Sequence, residues 1–286
     1  MRGVVFYGSC LRKGTAEGVL DFYAIVDSYA DAYSSTALTW LNRLLPPNVF
    51  YLDLPSEVAG ESLKAKYAVL SQADFDRATS PGVIRSSTWA RFCQPALVVW
   101  WRDEACLDDL VAAVERAVLT ALRRLLPLLP TTDGHAPFES SAFWSMAFRE
   151  TYRYETRPEA DATIDTIFEA APERFRRAAL GGLAQLASAG ELTLEASPQG
   201  PVVRLDPERR ERAARSWHRR RPLARAVYAL QLAKSALTFG DWLPYVLWKL
   251  QRHSGVKIEA TERQRRQPWL YGWPVLFRVL RQKILR

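Results

Sequence analysis

The residues best suited to chemistry stand near the N-terminus. An apolar run, Val4-Val5-Phe6-Tyr7, leads into Gly8-Ser9, and Asp21 follows twelve residues after Ser9 inside a second apolar run, Val19 to Val26. The pattern reads strand, tight turn, polar loop over residues 10–17, then a strand with one carboxylate near its start. A carboxylate in an apolar strand is costly unless something pairs with it. A divalent cation and a phosphate would make it useful. Gly8 lets backbone approach a ligand closely, and Ser9 offers a hydroxyl and an N–H to a phosphate oxygen. Mg²⁺ is commonly held by one or two carboxylates together with substrate phosphates. The same residues also fit a plain turn followed by a strand whose Asp21 faces water.

Composition narrows the rest. The chain has 286 residues, enough for two domains or one large one. Its three cysteines, Cys10, Cys93 and Cys106, are too few and odd in number for a disulfide framework, which implies a reducing compartment. Cys10 reads as a small packing residue. His135, His218 and His253 lack metal-ligand spacing, so no zinc site is expected. No apolar segment reaches the roughly 18 to 20 residues that span a bilayer. The chain enters its first strand directly after Met1-Arg2-Gly3, so no cleaved leader is expected within it. Net charge is +8, but residues 207–286 hold 19 Lys/Arg against 5 Asp/Glu, leaving the remainder acidic. A basic C-terminal block suits a polyanion, either nucleic acid or an anionic membrane surface.

The elements that must position Asp21 alternate. Expected are a helix over residues 30–45, strands at 48–53, 66–71 and 96–100, short helices at 74–78 and 89–93, and an amphipathic helix over 106–126. Residues 127–137, rich in Pro, Gly and Thr, read as a linker. Beyond it come an aromatic helix to 154, a helix over 172–189, and strands at 192–195 and 202–205 around Ser197-Pro198-Gln199-Gly200. A helix followed by a hairpin is the shape of a winged-helix ending. Residues 207–221 read as an Arg-rich connector or helix, with helices over 223–237 and 243–250.

Several stretches together resemble a known family. They are Gly8-Ser9 with Leu20-Asp21, Val49-Phe50-Tyr51, Lys66-Tyr67-Ala68-Val69-Leu70-Ser71, Trp89-Ala90-Arg91-Phe92-Cys93-Gln94-Pro95, and Phe148-Arg149-Glu150-Thr151-Tyr152-Arg153. In this order and spacing they are similar to the mitochondrial-type phosphatidate cytidylyltransferases, the translocator assembly and maintenance family. The resemblance covers roughly residues 4–155 and returns weakly at Lys234-Ser235-Ala236 and in the tryptophan-rich tail. It implies a nucleotidyltransferase-type mixed α/β sheet with helices (residues 1–130), a mostly helical winged-helix-like domain (131–222) and a basic helical region with a C-terminal amphipathic membrane-binding helix (223–286). It also implies transfer of a cytidylyl group from CTP to phosphatidic acid with Mg²⁺ at a membrane surface; the Ala/Arg-rich composition and the lack of a presequence place that surface at the cytoplasmic, inner face of the cell membrane. Asp21 would be a metal ligand and, with Lys66, catalytic. Gly8, Ser9, Lys66, Tyr67, Arg91 and Glu150 would hold nucleotide.

The sequence departs from that pattern in places. Ala68 replaces the family's Gly, and Cys10 stands where a second glycine is common. Tyr23 occupies the position where many nucleotidyltransferases carry a second carboxylate, one that the mitochondrial-type enzymes also lack. That leaves Asp27 and Asp53 as candidates for the other metal ligand. Asp27 lies roughly 20 Å from Asp21 if the strand runs straight. Two rival readings remain: another nucleotidyltransferase acting on nucleic acid, protein or a small molecule, and a winged-helix nucleic-acid-binding protein with an inactive catalytic domain. Arg219-Arg220-Arg221 favours the latter. Against it, Trp269, Tyr271 and Trp273 precede a stretch in which Leu276, Val279, Leu280 and Ile284 share a helical face among Arg278, Arg281, Lys283 and Arg286. That mixture suits a headgroup interface, so no nucleic acid is expected.

Overall fold

The structure, a computed structural model, describes residues 1–55, 63–132, 134–155, 161–198 and 200–238. Its centre is a five-stranded mixed sheet of β1 (Gly3–Tyr7), β2 (Val19–Val26), β3 (Asn48–Leu54), β4 (Leu63–Ser71) and β5 (Ala96–Trp101), in the order β3-β4-β2-β1-β5. β2 and β4 run parallel, and every other pairing is antiparallel. The strands form where β-branched and aromatic residues concentrate. Their alternation separates two faces. Val5 and Tyr7, Tyr23 and Ile25, and Ala68 and Leu70 are buried on the inner face. Phe6, Phe22, Phe50 and Tyr67 turn the other way and stack in pairs, Phe6 on Phe22 and Phe50 on Tyr67.

The inner face is covered by α4 (Gln72–Thr79), α5 (Ser87–Phe92) and α6 (Glu104–Leu125), which bury Phe75, Trp89, Phe92 and Leu110 against it. Asp103 caps α6 by accepting from the Cys106 N–H at 2.8 Å. Bonding with Cys106 and to the Arg102 guanidinium holds its carboxyl down at about 2. α6 continues through a 3-10 turn at Leu126–Leu128 into the second half of the chain.

That half holds β6 (His135–Pro137), α7 (Ser140–Tyr154), α8 (Asp161–Glu169), α9 (Pro172–Ser188), β7 (Thr193–Ser197), β8 (Gly200–Arg204) and α10 (Pro207–Thr238). β6, β8 and β7 form a three-stranded sheet in that order. One hydrophobic core runs from Val5 through Ala121 of α6 and Leu183 of α9 to Ala224 of α10, so both halves share it.

Several expectations are corrected. The start of the polar loop after Gly8 is helical as α1 (Ser9–Lys13), closed by Gly14 at φ 61°. The single helix over 30–45 is two, α2 (Tyr29–Ala32) and α3 (Thr36–Leu44), because Tyr33 is extended and Ser28 and Ser35 each cap a new start. The linker contributes β6, and α8 falls where no element was expected. The boundary after residue 222 falls inside α10, which runs through Pro222. Packing on both sides overrides the proline: Trp217, Ala224, Gln231 and Thr238, seven residues apart, are all buried. Residues 243–250 and the tail at 268–286 lie outside the described residues. Among those described, no helix is long and apolar enough to cross a membrane.

The sheet's β3 edge is held by buried amides. Asn42 is fully buried; its Nδ2 donates to the Val69 carbonyl at 3.0 Å and its Oδ1 accepts from the Asn48 N–H. Asn42→Ala leaves that N–H without its acceptor. The expected loss of stability is about 1–3 kcal/mol, measured by urea denaturation; a loss within the error of the measurement would contradict this account of the edge.

Candidate active site

Gly8 ends β1 at φ 95° and ψ −165°, a backbone state that favours glycine. Its neighbour across the ladder explains a second need for glycine. Tyr7 lies opposite Asp21 on β2, and a Cβ built on Gly8 would stand 2.6 Å from Asp21 Oδ2. The elbow backbone therefore rests directly against the carboxylate. Chain direction then carries Ser9 into the first turn of α1, with Arg12 and Lys13 in its last turn.

The other side of Asp21 is set by the parallel pairing of β2 with β4, which puts Lys66 in register with it. Lys66 Nζ lies 2.8 Å from Asp21 Oδ1. Oδ1 is buried, so this close pairing of opposite charges is largely shielded from water. The Asp21 side chain is 15% exposed and that of Lys66 33%. Asp21 shares the inner face with Tyr23 and Ile25 but sits at its margin. A carboxylate on the core side of a strand is thus accommodated by a cation on one flank and an uncluttered backbone on the other.

α5 brings a second cation to this face. Phe92 packs against Tyr23 with ring centroids 5.0 Å apart and against Tyr7 at 5.9 Å. Arg91, beside it, donates to the Ser87 carbonyl at 2.8 Å. Burial works against its charge, but the oxygens of Tyr23 and Tyr7, then Glu155 and Tyr228, outweigh burial and raise its pKa. Burial lowers that of Arg85 nearby, partly offset by Glu155. Arg12 donates to Gln94 Oε1 at 3.0 Å, tying α1 to the end of the Trp89–Pro95 stretch.

Of the residues singled out in the sequence, the fold brings Gly8, Ser9, Asp21 and Lys66 together, and sets Arg91 on the same face of the sheet. Tyr67 follows Lys66 on β4 and so points to the opposite face, against Phe50. Asp27 stands just past the far end of β2, bound to Arg2 at 3.0 Å and Arg102 at 2.7 Å, and the bonds from Arg102 and Arg2 lower its pKa. β2 runs unbroken from Val19 to Val26, which keeps Asp27 away from Asp21. Asp53 pairs with Lys64 at 3.8 Å. It shares Asp21's face but sits two strands across and two residues along, about 11–12 Å away. Glu150 faces Arg153 and the Trp217 indole, each at 3.4 Å.

Glu155 escaped the sequence reading. It is 1% exposed, and its Oε1 accepts the N–H groups of Ser86 and Ser87 at 2.8 and 2.7 Å. It thereby caps α5, whose own first residues supply no side-chain cap. No local signal marked it: it follows α7 by one residue and meets α5 only in three dimensions.

Among the described residues, no group of three or more His, Cys, Asp and Glu side chains is arranged to hold a metal. Asp21 offers one hard-oxygen carboxylate. That carboxylate, only partly exposed and beside the elbow backbone, fits a small divalent cation whose shell is completed by water and substrate phosphates. No known family model matches the chain, and no curated protein matches it.

Gly8→Ala should cost about 1–3 kcal/mol through its backbone state and its clash with Asp21. In an Asp21→Ala background the 2.6 Å contact with Oδ2 is gone and only the 3.2 Å approach to the Cβ remains, so the penalty should shrink by about 1 kcal/mol. Urea denaturation of the four proteins tests this; an equal penalty in both backgrounds would contradict the close approach.

Proposed function

We propose that the chain is a Mg²⁺-dependent CTP:phosphatidate cytidylyltransferase, giving CDP-diacylglycerol and pyrophosphate. The observation that carries the reading is the Gly8 backbone against Asp21, with Lys66 on the carboxylate's other side. The order β1, Gly8-Ser9, α1, β2, with the carboxylate on β2, matches what a nucleotidyltransferase elbow requires. The resemblance of the Lys66–Ser71 and Trp89–Pro95 stretches to the cytidylyltransferases supplies the substrate class. Support for a winged-helix-like second part comes from α9 followed by β7 and β8, with β6 on the outer side of β8.

In this reading the phosphatidate oxyanion attacks the α-phosphorus of CTP. A new P–O bond forms, the α–β anhydride bond breaks, and pyrophosphate leaves with the electron pair. No covalent enzyme intermediate is needed, so buried Cys10 has no part in it. A bound Mg²⁺ would neutralise phosphate charge and orient the reacting groups. Asp21 would hold that ion. Lys66 restrains the carboxylate and adds positive charge where phosphates gather, and Arg91, kept protonated, offers a planar fork to a phosphate. Ser9 and the elbow N–H groups orient the chain of phosphates. Phosphatidate stays in the bilayer, so the protein works as a peripheral membrane protein, on the cytoplasmic face.

Incubation with α-labelled CTP, Mg²⁺ and phosphatidate vesicles, followed by lipid extraction, tests the reading. Label is expected in the lipid phase, and excess unlabelled CTP should compete better than ATP, GTP or UTP. Asp21→Asn should lower the rate on the order of a hundredfold or more while costing no more than about 1 kcal/mol of stability. Absence of label in lipid, or equal competition by ATP, would sink the assignment.

A further inference from the structure

α10 carries a row of exposed side chains. Arg212, Arg215, Arg219, Leu223, Ala226 and Leu230 recur at spacings of three and four, which aligns them on one helical face, and all are exposed. Leu223 and Leu230 are 51% and 61% exposed. The buried face, with Trp217, Ala224 and Gln231, lies roughly 100–130° round the helix. The exposed row changes character along the axis: arginine in its first half, apolar in its second. Arg212 and Arg215 pair with Glu208 and Glu211 at 3.7 and 3.3 Å, the only acidic residues of the helix, against nine Lys/Arg. The positive field therefore grows toward Arg219 and Arg220, where the leucines begin.

We propose that this face of α10 is a docking surface for an anionic lipid bilayer. The charge and the apolar residues fit such a surface jointly. From Arg219 to Leu230 the helix rises about 16 Å, and an interfacial helix sinks its apolar side about 5–10 Å below the headgroups. A modest tilt then puts Leu223, Ala226 and Leu230 at acyl depth and leaves the arginines among the phosphates, with their long stems reaching outward. A nucleic acid would engage the arginine half and leave the leucines in water. The proposal stands on this surface alone and does not require the cytidylyltransferase reading.

The test uses the full chain and vesicles of phosphatidylcholine with or without phosphatidylserine, which avoids the proposed substrate. Arg215→Gln/Arg219→Gln and Leu223→Ser/Leu230→Ser change exposed residues only, so the thermal midpoint should hold. Each pair is expected to weaken partitioning onto the anionic vesicles about tenfold. The effect of the arginine pair should disappear at high salt, and that of the leucine pair should persist. A dye attached at Ala226→Cys should shift to the blue on anionic vesicles and not on neutral ones, which reads the contact in an otherwise unaltered face. Unchanged partitioning in both pairs, or an unshifted dye, would overturn the proposal. So would loss of duplex DNA retention by the arginine pair with no effect of the leucine pair on vesicles. Failure of lipid labelling from CTP leaves these outcomes untouched, and the two readings fall separately.

Discussion

The contact on which the site depends is between a carboxylate and a backbone that has no side chain. Asp21 Oδ2 occupies space that any residue other than glycine at position 8 would contest. Because β1 and β2 are paired with Tyr7 opposite Asp21, the elbow cannot move without the ladder moving too. Lys66, set by the parallel ladder on the other flank, supplies the charge that makes a half-buried carboxylate tolerable. Two ladders and one glycine thus fix the orientation of a single acidic side chain. This is preorganisation built from the backbone, with little side-chain freedom left to lose.

The surrounding architecture transmits the same constraint outward. Glu155 ties the end of α7 to the start of α5, and α5 delivers Arg91 to the sheet. α10 reaches the same region from the far end of the chain. Lys234 and Gln231 donate to carbonyls of the Leu45-Pro46-Pro47 turn, and Thr238 donates to the Val49 carbonyl at 2.8 Å. Burial, with Arg85 nearby, lowers the Lys234 pKa to about 8, while the carbonyls of Leu45 and Pro47 receive its ammonium. The two halves of the chain are therefore joined through polar contacts as well as through a shared core.

What the sequence made legible was local. β1, β2, β3 and β5 follow from runs of β-branched and aromatic residues, and α6 and α9 from apolar spacing. Gly8 with Asp21 was visible as a pattern, though the reason for it, a carboxylate against a missing Cβ, needed the register. The opposition of Lys66 to Asp21 depends on two strands 45 residues apart pairing in parallel; no periodicity encodes that. The separation of Tyr67 from Lys66 follows from strand alternation once one of them is placed. The distance from Asp21 to Asp27 was likewise readable, and the arginines at the far end of the strand, Arg2 and Arg102, explain why a carboxylate is there. Hidden from the sequence were the break at Tyr33, where two serine caps compete with one long helix, and the passage of α10 through Pro222. Glu155 was hidden for the same reason: its role lies in a contact with residues 68 and 69 positions away.

The central claim is that Asp21, held by Gly8 and Lys66, receives the metal of a metal–nucleotide complex. Electron paramagnetic resonance with Mn²⁺ in place of Mg²⁺ reads this directly, without any turnover. With CTP present, the wild-type chain should bind about one Mn²⁺ in a protein-perturbed environment. Asp21→Asn should bind Mn²⁺ with CTP at least about tenfold more weakly. Wild-type and Asp21→Asn proteins that hold Mn²⁺ and CTP equally well, with the same spectrum, would contradict the account.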